Sequence, residues 1–153
     1  MDRPKIKTLF LCTGNSARSQ MAEGLLRYMA GDLFEVYSAG LDPKGLNPFA
    51  ILAMDELGID IRGQRSKSLR EYMGFMHFGW VITVCANAEE HCPAPLWANG
   101  NKEHWPFDDP AAGEGSDDAK LAAFRTVRDQ IKARLVPWIG EVRERFDQPT
   151  ERN

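Results

Sequence analysis

The stretch from residue 6 to residue 25 constrains this chain more than any other. Ile6-Lys7-Thr8-Leu9-Phe10-Leu11 is apolar and dense enough for a buried strand, and Met21, Leu25 and Met29 repeat at helical spacing. Between these two blocks Cys12 and Arg18 bracket Thr13, Gly14, Asn15, Ser16 and Ala17, all small or polar. A loop of that composition can curl at a helix N-terminus so that successive backbone N–H groups point inward, forming an anion-binding nest. The helix dipole, the inward N–H groups and the Arg18 guanidinium would all favour a thiolate at Cys12. Arg18 can also grip two oxygens of a tetrahedral oxyanion with its planar fork. The hydroxyl of Ser19 or Ser16 can donate to the sulfur and lower its pKa further. The stretch therefore reads as a nucleophile held against a phosphate-sized anion. A buried structural cysteine beside a surface arginine is the plainer reading of the same spacing.

Length and charge narrow the setting. The 153 residues suffice for one domain with a real core, spanning 1–153 with a frayed tail after about residue 146. With 43% hydrophobic and 27% charged residues, the chain has the composition of an ordinary soluble globular protein. A formal charge of −3 and the absence of any Lys/Arg run argue against a nucleic-acid partner. No apolar run approaches a membrane span, and the charged N-terminus precedes too short an apolar block for a signal peptide. A cytoplasmic monomer without membrane association is expected. Its three cysteines should then be reduced at rest, and an odd count excludes a fully paired framework within the chain.

Along the chain, residues 34–40 read as a second strand and residues 41–46 as a loop with Pro43 and Gly45. Asn47-Pro48 predicts a helix start, with Phe49, Leu52, Ala53 and Leu57 as its apolar face and Gly58 at its end. Residues 62–68 are polar, basic and expected to be exposed, leading into a weak helix that Gly74 disrupts. Residues 80–85 form the next strand, β-branched and apolar like a central parallel strand. Residues 86–100, with Pro93 and Pro95, are expected to be mobile, and residues 102–105 to form a short last strand. Ser116-Asp117-Asp118 caps a final helix with Leu121, Phe124, Val127, Ile131 and Leu135 at helical spacing, kinked or interrupted by Pro137. Strands alternating with helices predict an α/β fold: an open parallel sheet of about four strands covered on both faces. The carboxyl ends of strands one, three and four would share one edge, where open α/β sheets bind ligands. That edge would gather Cys12, Cys85 and Asp109. Neither G-x-G-x-x-G nor G-x-x-x-x-G-K-[ST] occurs, so no cofactor is indicated.

Cys85 ends a strand, and Cys92 follows seven residues later before a proline. The two can join only if the segment between them rearranges to bring their Cα atoms within about 7 Å. Two unrelated thiols remain an alternative. A metal site from Cys85, His91, Cys92 and His104 matches no common zinc spacing, so no metal is expected.

The string Cys12-Thr13-Gly14-Asn15-Ser16-Ala17-Arg18-Ser19 resembles the phosphate loop of the low-molecular-weight tyrosine phosphatase superfamily. Val81-Ile82-Thr83-Val84-Cys85 with Cys92-Pro93 is similar to the redox segment of its thioredoxin-coupled arsenate reductases, and residues 104–111, His-Trp-Pro-Phe-Asp-Asp-Pro-Ala, to their acid-bearing loop. The resemblance extends over about residues 5–145. It implies a low-molecular-weight tyrosine phosphatase-like fold and arsenate reduction: Cys12 as nucleophile, Arg18 and residues 13–19 as the oxyanion site, and Asp109 as general acid ahead of Asp108. It also implies a disulfide passed from Cys12–Cys85 to Cys85–Cys92 and reduced by thioredoxin. The alternatives are a tyrosine phosphatase and a thiol-based arsenite or redox sensor. Two departures stand out: Ala17 replaces a cysteine that some relatives carry, and Lys67 replaces an aspartate that, with residues matching Asn15, Glu23 and Ser38, binds potassium in others.

Overall fold

The computed structural model describes residues 4–147. Its elements run β1 (Ile6–Cys12), α1 (Arg18–Ala30), β2 (Phe34–Gly40), α2 (Pro48–Asp55), β3 (Trp80–Thr83), α3 (Ala86–His91), β4 (Asn101–His104) and α4 (Asp117–Asp147). The four strands form one sheet in the order β2-β1-β3-β4, and every pair is parallel. Burial follows the sequence pattern, since Leu9, Phe10, Leu11, Val81 and Ile82 have no exposed surface. Strands buried on both faces carry apolar residues without alternation.

Two aromatic clusters mark the two faces. Trp138 of α4 stacks on Phe34 at 5.0 Å and meets Trp80 and Trp105 edge-on at 5.3 and 5.4 Å, so α4 lies across one side of the sheet. Tyr37 has the opposite parity to Phe34 along β2 and packs against Tyr72 and Phe78 on the other side. The register sets Cys12 opposite Gly40 and Leu11 opposite Thr83. The carboxyl ends of β1, β2 and β3 are therefore level.

The structure departs from the sequence reading at five places. Residues 86–100 are ordered into α3 and a 3-10 turn at Ala94–Trp97. Cys85 makes α3 possible by capping it, its sulfur accepting from the Ala88 N–H. The weak helix after residue 68 shrinks to a 3-10 turn at Leu69–Glu71, ahead of Gly74 at φ +81°. Pro137 leaves α4 unbroken, and it sits on the helix's exposed side, where the carbonyl it cannot bond is open to solvent. Helix α2 does start on the Asn47 cap, but it buries Ala50, Ala53 and Met54, whereas Leu52 is 46% exposed. Lys67, within the basic segment expected to be exposed, is buried. The tail expected to fray lies, apart from the end of α4, outside the described residues.

Candidate active site

The loop between β1 and α1 curls because its outer side is strapped down. The backbone N–H groups of Leu41, Asp42, Lys44 and Asn47 donate to the carbonyls of Cys12, Thr13, Gly14 and Ser16 at 2.8 to 3.2 Å, and Gln20 Nε2 donates to the Asn15 carbonyl at 3.0 Å. In a planar trans peptide the next residue's N–H points opposite to the carbonyl. Holding five successive carbonyls outward therefore turns the N–H groups of residues 13–17 inward. Two residues permit the curl. Asn15 adopts φ +46°, a left-handed conformation that asparagine tolerates better than most residues. At Gly40 a Cβ would lie 2.6 Å from the Thr13 carbonyl oxygen, so only glycine lets the strap approach.

Cys12 is buried at the base of this loop. Its sulfur accepts from the Asn15 N–H at 3.0 Å and lies 2.8 Å from Ser19 Oγ. Because Ser19 Oγ already accepts from Asn15 Nδ2 at 2.9 Å, its own hydrogen is left for the sulfur. Burial nevertheless pushes the Cys12 thiol above its ordinary value, and the Ser19 hydroxyl and the N–H groups of Asn15 and Ser19 only partly pull it back. The expected easy ionisation is thus opposed by the loop's depth. Ser16 lines the loop's cleft and makes no bond to the sulfur, so of the two hydroxyls weighed it is Ser19 that serves.

The cleft, about 310 Å³, is lined by Cys12, Thr13, Gly14, Ser16, Ala17, Arg18, Lys44, Asp109 and Ala111. Arg18 donates from Nη1 to the Phe107 carbonyl at 3.0 Å, tying the anion loop to the loop that carries the acids. Asp109 lines the cleft, and its carboxylate accepts from the Ala111 N–H at 3.0 Å. Asp108 faces a different groove, beside Gln130, Ala133 and Arg134. The two adjacent acids are thereby separated.

Cys85 lies two residues past the end of β3, a strand shorter than the expected 80–85, and next to the anion loop. Thr13 Oγ1 lies 3.4 Å from its sulfur and accepts from Asn87 Nδ2 at 3.0 Å, so the hydroxyl hydrogen is available to Cys85. Cys92 is half-buried at the far end of α3, and burial pushes its thiol up while the Lys102 charge pulls it down. All three cysteines are free. A helical rise of about 1.5 Å per residue sets Cys85 and Cys92 about 10 Å apart, beyond disulfide reach. His91 and His104 are engaged elsewhere, with Asn87 and Thr83.

Lys44, the Phe107 carbonyl and Asn87 did not emerge from the sequence. Lys44 lies in a segment legible only as a loop, and the other two act through backbone or exposed amide groups that leave no pattern.

With this loop at the carboxyl edge of a parallel sheet, the molecule has the architecture of a low-molecular-weight phosphatase. The family model for the low molecular weight phosphotyrosine protein phosphatase matches residues 7–148, and the chain belongs to that family. Within it, the chain is 48% identical over 126 residues to the arsenate reductase of Halalkalibacterium halodurans, covering 82% of this chain and 89% of that one. The arsenate reductase of Bacillus subtilis is 47% identical over the same extent. A solved arsenate reductase in its phosphate-binding state superposes with a TM-score of 0.74 at 34% identity, covering 89% of this chain and 98% of the other.

Proposed function

We propose that this protein reduces arsenate to arsenite by a three-cysteine relay. The observation that carries the reading is the Thr13 bridge, which sets the Cys85 sulfur against the loop that holds Cys12. A phosphatase needs Cys12, Arg18 and Asp109; it has no use for a second thiol there.

Arsenate enters the nest of inward N–H groups, and Arg18 turns from the Phe107 carbonyl to its oxygens. The Cys12 thiolate attacks arsenic, and Asp109 protonates the departing oxygen, which leaves as water. Cys85, deprotonated, attacks the Cys12 sulfur. The sulfur–arsenic bond breaks with its electron pair on arsenic, which departs as arsenite, reduced by two electrons. The two thiols are oxidised to a Cys12–Cys85 disulfide. Cys92 then attacks Cys85, releasing the Cys12 thiolate and leaving Cys85–Cys92 for an external dithiol. Thioredoxin, in the cytoplasm, is the reductant of the proposal, and the enzyme acts as a one-domain monomer with no cofactor of its own. Helix α3 must unwind for that last exchange.

The test combines purified protein, arsenate, thioredoxin, thioredoxin reductase and NADPH. Arsenate-dependent NADPH oxidation is expected, and its absence with a correctly folded enzyme rejects the relay. Weak hydrolysis of an aryl phosphate is expected beside it, since Cys12, Arg18 and Asp109 line one cleft.

A further inference from the structure

Behind the anion loop lies a second polar centre that the relay does not use. Glu23 is 5% exposed and Lys67 is 7% exposed. Lys67 Nζ donates to the Arg65 carbonyl at 2.7 Å and lies 3.4 Å from Ser38 Oγ, 3.5 Å from Asn15 Oδ1 and 3.7 Å from Glu23 Oε1. Ser38 in turn donates to Glu23 Oε1 at 2.5 Å. Four oxygens around one nitrogen are the surroundings of a cation, and the charged ammonium is that cation.

By the resemblance noted in the sequence, the oxygens of Asn15, Glu23 and Ser38 would also be donors to a potassium ion. A metal ion does not fit among them here. It would sit within a few ångströms of the Lys67 ammonium, where two like charges repel strongly in so buried a place.

From the centre a short path leads to the nucleophile. Asn15 Oδ1 accepts from the Lys67 N–H at 2.9 Å and from Gln20 Nε2 at 3.1 Å, besides facing the ammonium. With its oxygen so fixed, the Asn15 amide must present Nδ2 to Ser19 and Ser38, both at 2.9 Å. Ser19 serves Cys12, and the Asn15 backbone N–H reaches the same sulfur. We propose that Lys67 is a positioning residue, a cation built into the chain, that holds Asn15 and through it the anion loop and Cys12 in their working geometry. The proposal rests on the loop being an oxyanion site, whatever the anion.

Burial lowers the Lys67 pKa. Stability from such a group is present above the ordinary lysine range and lost as the pH falls through the lowered value. At neutral pH its charge is therefore carried at a cost to folding. Removing it leaves Glu23 paired with Arg27 at 2.6 Å and with Ser38, so Lys67→Met should fold. A packing role predicts lost stability; a positioning role predicts lost function in a stable protein.

The experiment follows Cys12 alkylation by iodoacetamide across pH and its protection by inorganic phosphate, in potassium and sodium chloride at matched ionic strength. These readouts need no arsenate turnover, so failure of the reductase reading leaves them intact. Wild-type protein should not distinguish the two salts. Lys67→Met should melt no lower than wild type yet need roughly ten- to hundredfold more phosphate for protection, the range for losing a partner that orients a binding group. Its alkylation profile should shift along the pH axis. Lys67→Ala, which opens space, should regain protection when methylammonium or potassium is added. Potassium-selective tightening in the wild type, unchanged protection in Lys67→Met, or a loss that no cation restores in Lys67→Ala would each overturn the proposal.

Discussion

The anion loop and the segment from Cys85 to Cys92 each hold sulfur for the proposed relay, and they are held by opposite means. In the loop, five carbonyls, the Asn15 amide and Ser19 are all bonded, and Asn15, Ser19, Ser38 and Gln20 have no exposed surface. Helix α3 has six residues, of which only Ala88 is buried. Apart from its Cys85 cap, its side-chain ties are Asn87 to Thr13 and Glu89 to Thr83, Lys102 and, at 3.7 Å, His104. Buried, mutually satisfied polar groups are costly to disturb, whereas partly exposed ones part at little cost. One region is built to stay and the other to be released, which suits the proposed relay, in which Cys12 meets every substrate in one geometry while Cys92 travels.

The largest effect should separate the two regions outright. Cys12→Ser should abolish both arsenate turnover and aryl phosphate hydrolysis. Cys85→Ser and Cys92→Ser should stop turnover with thioredoxin while hydrolysis continues, and Cys92→Ser should accumulate a Cys12–Cys85 disulfide, visible by mass spectrometry after one equivalent of arsenate. Full thioredoxin-dependent turnover in either variant would falsify the relay.

Next comes the acid. Asp109→Asn should slow the step that breaks the arsenic–oxygen bond by about 10²–10⁴-fold, measured under single turnover. Asp108→Asn, facing away from the cleft, should change it little. Equal small effects would mean that the acid loop only shapes the cleft.

A third pair of variants weighs the scaffolds against each other. Asn15→Ala removes two donated and three accepted bonds from a buried site and forces alanine into left-handed backbone. It should cost about 2–3 kcal/mol in denaturant unfolding. Asn87→Ala breaks one exposed bond and should cost about 0.5 kcal/mol or less. Similar losses would erase the contrast between the regions.

How much of this was legible beforehand follows the same division. The strands, α1 and the Asn47-Pro48 helix start were readable because apolar runs, 3.6-residue spacing and cap chemistry are local signals. The carboxyl-edge placement of Cys12, Cys85 and Asp109 followed from parallel topology alone. The residue pattern does not mark helix α3 because its sequence is polar and short, and its stability comes from Cys85 acting as cap and from Glu89 reaching two strands. The sequence leaves Lys67 open between a solvated lysine of the basic segment and a cation facing Glu23, because its charge is met by Glu23 and by oxygens brought from β2 and the anion loop. Only tertiary structure reveals that compensation. The spacing of Leu52 suits a buried face, but the face that α2 buries carries Ala50, Ala53 and Met54.

The smallest effect probes the tie that holds α3. The Glu89 carboxylate is 34% exposed, accepts from Thr83 Oγ1 at 2.5 Å and pairs with Lys102. Glu89→Gln keeps an acceptor for Thr83 but removes the ion pair, worth about 0.2–1 kcal/mol at such exposure, so unwinding of α3 should speed up by up to about fivefold. The step to follow is reappearance of the Cys12 thiol after a stoichiometric arsenate pulse, read by quenched-flow alkylation. Charge alone would act in the same direction, because Glu89 raises the Cys92 pKa and Lys102 lowers it. Lys102→Met separates the two causes. It also breaks the tie, but it removes the cation that favours the Cys92 thiolate. If release of the helix limits the exchange, both variants accelerate it. If thiolate formation limits it, Glu89→Gln accelerates and Lys102→Met slows. No change in either variant would show that α3 opens without resistance from this tie, and the contrast with the anion loop would then rest on burial alone.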